Sequence, residues 1–143
     1  MPVKRCRLVP RVVRLFIFLI ALVPTGCSLL SHEAPAEDVD KAAGLFFQRL
    51  GNGEFEKIYR DVAQKFKENQ PKPTIIDNLR QMSEHGKILD FERISMSFQG
   101  EGKNRIASPV YRTSTDKAKA EITLNFQDDS GEWKLIGFAY KPR

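Results

Sequence analysis

The chain has 143 residues, room for one domain of ordinary size, with a formal net charge of +5. That basic excess is not spread over the chain: Lys4, Arg5, Arg7, Arg11 and Arg14 stand in a first segment, 1–26, that holds no acid. Setting those five aside leaves 18 of the 23 basic residues against 18 acidic ones, so residues 27–143 are neutral and a nucleic-acid-binding reading has no electrostatic support.

The first segment has three parts in a fixed order: a cationic stretch, the apolar run Leu15–Val23, and then Pro24-Thr25-Gly26-Cys27. As a helix, nine residues reach about 13–14 Å at ~1.5 Å each, less than half of a ~30 Å hydrocarbon core. That length suits the apolar part of a signal peptide and not a permanent span, and the positive flank keeps the N-terminus on the cytoplasmic side. Thr25, Gly26 and Cys27 resemble the last three positions of the lipobox cut by lipoprotein signal peptidase, while Pro24 replaces the usual Leu at the first. The expectation is a signal peptide over 1–26, a lipid on Cys27 as the new N-terminus, a tether over 27–36 and a domain over 37–143. Plain secretion or an uncleaved anchor is the alternative. Cys6 leaves with the signal and Cys27 carries lipid, so the domain has no disulfide, cysteine metal site or cysteine nucleophile.

The tether 28–36 is small and polar after Leu30, and Pro35 is expected to discourage a helix before it. Three helices are then expected. Val39, Ala42, Ala43, Phe46, Phe47 and Leu50 recur at three- and four-residue steps before Gly51-Asn52-Gly53. Phe55, Ile58, Tyr59, Val62 and Phe66 repeat the pattern up to Asn69-Gln70-Pro71-Lys72-Pro73. Thr74, with Asp77 three residues on, has the spacing to cap a third helix whose stripe is Ile75, Ile76, Leu79 and Met82, ending near Gly86.

Beyond Gly86 the period drops to two. Ile94, Met96 and Phe98 mark a first strand, and 105–115 a second in which Pro109 implies a bulge or an edge. A third puts Ala118, Ala120, Ile122, Leu124 and Phe126 on one face. After a hairpin loop at Asp128–Gly131, the last strand, 132–140, is apolar on both sides: Trp133 and Leu135 against Ile136, Phe138 and Tyr140. That pattern predicts a central strand covered on both faces, with Trp133 substantially buried. The fold class expected is α+β, three N-terminal helices packed on a curved four-stranded antiparallel sheet.

The text LGNGEFEKIYRDVAQKFKE and the closing DDSGEWKLIGFAYK resemble the nuclear transport factor 2-like (cystatin-like cone) superfamily, in particular its small bacterial lipoprotein and secreted domains of unknown function. The likeness rests on Gly53-Glu54-Phe55 and on Gly131-Glu132-Trp133-Lys134, and spans about residues 37–141. It implies a sheet wrapped around helices with a pocket at the wide end. Ketosteroid isomerase and scytalone dehydratase use such a pocket for catalysis, and other relatives use it for binding or dimer contacts.

Candidates for proton transfer are His85, Asp90, Tyr59, Tyr111 and Tyr140. His85 has a simpler role as a cation at a helix C-terminus, Tyr59 as a core ring, Asp90 as a solvated charge, and His32 as a tether residue. Two histidines 53 positions apart make no zinc site. Gly100-Glu101-Gly102-Lys103 lacks the Gly-Lys-Ser/Thr ending of a phosphate loop and reads as a turn.

No catalytic residue, cofactor or metal is assigned. The reading is a non-enzymatic cell-envelope lipoprotein, held to the membrane through Cys27, that binds a protein partner or a small apolar ligand, or forms a homodimer through its open sheet face. In a host with two membranes, Ser28 after the lipidated Cys27 directs it to the outer one, facing the periplasm. The alternative is an isomerase- or dehydratase-like enzyme, which requires an open pocket lined by Asp90 or His85.

Overall fold

The computed structural model describes residues 33–143, with side chains from Pro35 onward. The expected signal peptide, Cys27 and His32 lie outside the described residues. The first helix, α1 (Glu33–Gly51), buries Val39, Ala43, Phe46, Phe47 and Leu50, one stripe at helical spacing. It starts inside the stretch expected as tether. Pro35 sits in its first turn, where the backbone N–H groups have no intrahelical acceptor and a proline loses nothing. Gly53, at φ +69°, turns the chain out of the helix, and the Glu54 N–H returns to the Arg49 carbonyl at 2.9 Å.

Among the described residues four α-helices precede the sheet, one more than the periodicity predicts. The stretch expected as a second helix is two, α2 (Phe55–Asp61) and α3 (Gln64–Asn69). Between them Val62 and Ala63 are extended, and the Ala63 N–H donates to the Leu135 carbonyl at 2.9 Å. The sheet takes a backbone bond from the helix, yet Ile58, Val62 and Phe66 all stay buried, so apolar spacing alone conceals the break. The last helix, α4 (Lys72–Glu84), begins two residues before Thr74, with Pro71 at its N-cap and Pro73 in its first turn. Thr74 is therefore an exposed helical residue and not a cap, and Asp77 pairs with Arg80 at 2.6 Å. The stripe Ile75, Ile76, Leu79 and Met82 is buried as its spacing requires.

The strands β1 (Ile88–Gln99), β2 (Ile106–Thr115), β3 (Lys119–Asp129) and β4 (Glu132–Pro142) form one antiparallel meander in sequence order. The fold class is thus α+β, helices first. β3 follows its alternation from Ala120 on: Ala120, Ile122, Leu124 and Phe126 are buried against the helices, while Ala118 is exposed ahead of the strand.

β4 departs from expectation. It is an edge strand and not a central one. Its apolar residues on both sequence parities come from a bulge: Leu135 faces Phe126 and Gly137 faces Asn125, leaving Ile136 as the extra residue. The slip turns Phe138 and Tyr140 to the same side as Trp133 and Leu135. Phe138 then meets Phe46 and Phe66 at ring distances of 6.1 and 6.2 Å. Trp133 is half-buried, not enclosed; it packs on the core margin between Phe98 and the Arg105 guanidinium.

Pro109 also sits where the sequence argues against it, buried in an interior strand. The β2–β3 pairing lapses at Ser108 and Pro109, so the missing N–H breaks no ladder bond there. The Ser108 hydroxyl donates to Asn125 Oδ1 at 2.7 Å across that gap. On β1, bulges make Leu89 and Ile94 extra residues, and both are exposed, as are Phe91 and Phe98.

Candidate functional site

Phe46, Phe47, Phe66, Tyr111 and Leu124 fill the space between helices and sheet. A surface cleft of about 300 Å³ opens where α4 lies beside the end of β4. Asn78, Gln81, Met82 and His85 line it from the helix side, at the three- and four-residue steps that keep them on one flank. Phe138 and Tyr140 line it from the strand, and they face it because of the bulge at Ile136.

His85 ends α4 with its ring stacked on Tyr140, centroids 4.4 Å apart and planes 11° from parallel. It is not needed as the cation expected at this helix end. Lys117 Nζ donates to the Glu84 carbonyl at 3.2 Å, and the Thr115 hydroxyl donates to the His85 carbonyl at 2.8 Å. Gly86, at φ +114°, then lets the chain turn into β1, and Asp116 Oδ1 accepts the Lys87 N–H at 2.8 Å. The Tyr140 hydroxyl oxygen is out of contact with solvent and has no hydrogen-bond partner among the described residues. Burial raises its pKa above the ordinary phenol value, so the group stays a neutral donor.

The other candidates disperse. Asp90 is exposed on β1 and lines no part of the cleft. Tyr59, half-buried on α2, is flanked by the ammonium groups of Lys67 and Lys72 at 5.5 and 5.3 Å from its ring. Tyr111 is buried and its hydroxyl donates a hydrogen bond to Asp40 Oδ1 at 2.8 Å, while Arg93 holds Asp40 Oδ2 at 2.6 Å. Burial, then the Asp40 hydrogen bond, push the Tyr111 phenol far above its ordinary pKa. That trio ties α1 to β1 and β2. Gly102-Lys103-Asn104 is a single 3-10 turn, in keeping with the turn reading.

Two groupings escape sequence reasoning. One is Asp40–Arg93–Tyr111, 53 and 71 positions apart in chain. The other is Arg105, which pairs with Asp128 at 2.9 Å and lies over Trp133 at 5.1 Å. The first leaves no signal in the sequence, because Arg93 shares a face with Met96 only through the bulge at Ile94.

Among the described residues no set of three or more His, Cys, Asp or Glu converges to hold a metal, and no helix is long and apolar enough to cross a membrane. Compared with known protein families and with curated proteins, the chain matches none.

Proposed function

We propose that the chain is a lipid-anchored cell-envelope module that binds a small molecule in the cleft between α4 and β4 and does not transform it. The cone-like wrapping of the nuclear transport factor 2-like superfamily belongs to the same proposal. The observation that carries it is the pairing of a filled interior with an open cleft that no Asp, Glu, Lys or Arg lines. Catalysis by proton transfer needs an acid or base aimed into the site, and Asp90 is absent from the lining.

A second reading has one observation in its favour. His85 lines the cleft, so the isomerase- or dehydratase-like alternative keeps a base of the right type at the right place. A fragment screen by NMR on the full chain in micelles separates the two. Shift changes should converge on Asn78, Gln81, Phe138 and Tyr140, with every fragment recovered unchanged. Chemical conversion of a fragment that His85→Ala suppresses would replace the binding reading with the enzymatic one.

A further inference from the structure

Among the described residues five large apolar side chains are exposed, and four of them stand on β1: Leu89, Phe91, Ile94 and Phe98, each between 38 and 65 % exposed. β1 is an edge strand, and from Leu89 to Phe98 it covers about 30 Å at ~3.3 Å per residue. Phe91 and Phe98 lie opposite the buried Thr113 and Ala107, so both stand at the rim of the helix side. Phe91 meets the Phe47 ring at 4.5 Å and Phe98 meets that of Trp133 at 6.1 Å. Leu89 and Ile94 are the extra residues of the two bulges. The opposite edge, β4, has no exposed large apolar side chain among the described residues. A line of apolar residues on an edge strand invites a second strand. The bulges oppose that. They interrupt the outer edge between Ile88 and Asp90 and between Arg93 and Ser95, and leave no regular run longer than the five residues 95–99 for another strand to pair with. An exposed apolar line that does not pair as a strand fits a membrane contact.

A bilayer holding a lipid on Cys27 is already within reach of that edge. The Asp40–Arg93 ion pair at 2.6 Å fixes α1 against the middle of β1, and α1 begins at Glu33, two turns or about 10 Å before Asp40 at ~1.5 Å per residue. From Cys27 to Glu33 is a step of six residues, at most about 20 Å of chain. A tether that short makes contact between β1 and the bilayer intramolecular, so a weak apolar contact forms without a partner arriving from solution. The charges on β1 permit it. Asp90 and Glu92 face the other side of the sheet, where Arg112 lies 3.9 Å from Glu92, and Arg93 is held by Asp40.

We infer that β1 is the bilayer-facing edge of the domain, with Leu89, Phe91, Ile94 and Phe98 entering the interfacial region of the membrane; this rests on the lipid anchor of the proposed function and is independent of the cleft.

The test is spin-label electron paramagnetic resonance on the mature protein, purified from host membranes and reconstituted in phosphatidylcholine vesicles. Leu89→Cys, Ile94→Cys and, as a control, Lys65→Cys each supply one reactive thiol, since Cys6 leaves with the signal and Cys27 carries lipid. All three positions are exposed, and Lys65 stands on α3, beside the opposite edge strand β4. In vesicles the labels at positions 89 and 94 should lose collisions with a water-soluble nickel chelate severalfold and gain collisions with oxygen, as groups sunk ~5–10 Å into the interface do. The label at position 65 should keep full access to the chelate. Equal chelate access at all three positions overturns the inference, while an acyl mass on Cys27 in the same sample leaves the anchor in place. Dipolar broadening between labels at position 94 of two copies, in detergent as in vesicles, overturns it in favour of a dimer through β1. A second labelled thiol, which an unmodified Cys27 would supply, removes the anchor and the inference together.

Discussion

Tyr111 shows how one side chain couples an element to the sheet. Its ring is buried against Phe47 at 5.2 Å, and its hydroxyl reaches Asp40 on α1. Tyr111→Phe removes a hydrogen bond to a carboxylate and should cost ~1–3 kcal/mol, read from the urea midpoint at pH 7. The same residue makes stability fall at high pH. The folded phenol resists ionisation, while in the unfolded chain it ionises at its ordinary value of 10.0. Its contribution is therefore complete below pH 10.0 and lost as pH rises above it. Tyr140, shifted in the same direction, adds to the loss, so Tyr111→Phe should flatten the decline above pH 10 without abolishing it. Trp133 gives a smaller effect than a core tryptophan. Half-buried on the core margin, it should cost about 2–3 kcal/mol as Trp133→Ala, below the roughly 3–5 of a fully enclosed ring. Its fluorescence maximum should lie between those of enclosed and solvated indole, and either extreme would contradict the packing.

The glycines of α1 and of the α4–β1 turn should respond in opposite directions. Gly44 lies within α1 with nothing within 4 Å of where a Cβ would stand, so Gly44→Ala should raise stability by about 0.5–1 kcal/mol. At Gly86 a Cβ would collide with Asp116 Oδ1 and crowd Thr115, in a backbone conformation that L residues avoid. Gly86→Ala should cost at least ~1–3 kcal/mol from backbone strain alone, and differential scanning calorimetry of the pair checks the signs. The buried stripes of α1 and α4 and the alternation of β3 were legible in the sequence because each has one uninterrupted period. The features missed are those that break a period without changing composition. The extended Val62-Ala63 step divides a continuous apolar stripe. The extra residue Ile136 makes an edge strand look apolar on both faces, and it also hides the cleft from the sequence: simple alternation sets Tyr140 opposite Trp133, whereas the two share a face. Pro109 misled for the complementary reason, since a side-chain bond from Ser108 to Asn125 spans the lapse in the ladder.

Seen as one molecule, the chain joins two parts with separate physics. Residues 1–26 carry its charge asymmetry and its short apolar run, and the domain is charge-balanced with most of its aromatic residues gathered between helices and sheet. With α1 beginning at Glu33, few residues separate Cys27 from the folded domain, so a lipid there holds the domain close to the bilayer surface. A Cys27→Ser chain should lose fatty-acid labelling and accumulate unprocessed, while its domain melts as in the wild type. The central claim, a domain held at the membrane by lipid on Cys27, is tested most directly by intact-mass spectrometry of the protein from its native membrane. The account predicts loss of residues 1–26 and an added acyl mass on Cys27. A chain that starts elsewhere, or one with an unmodified Cys27, would contradict it.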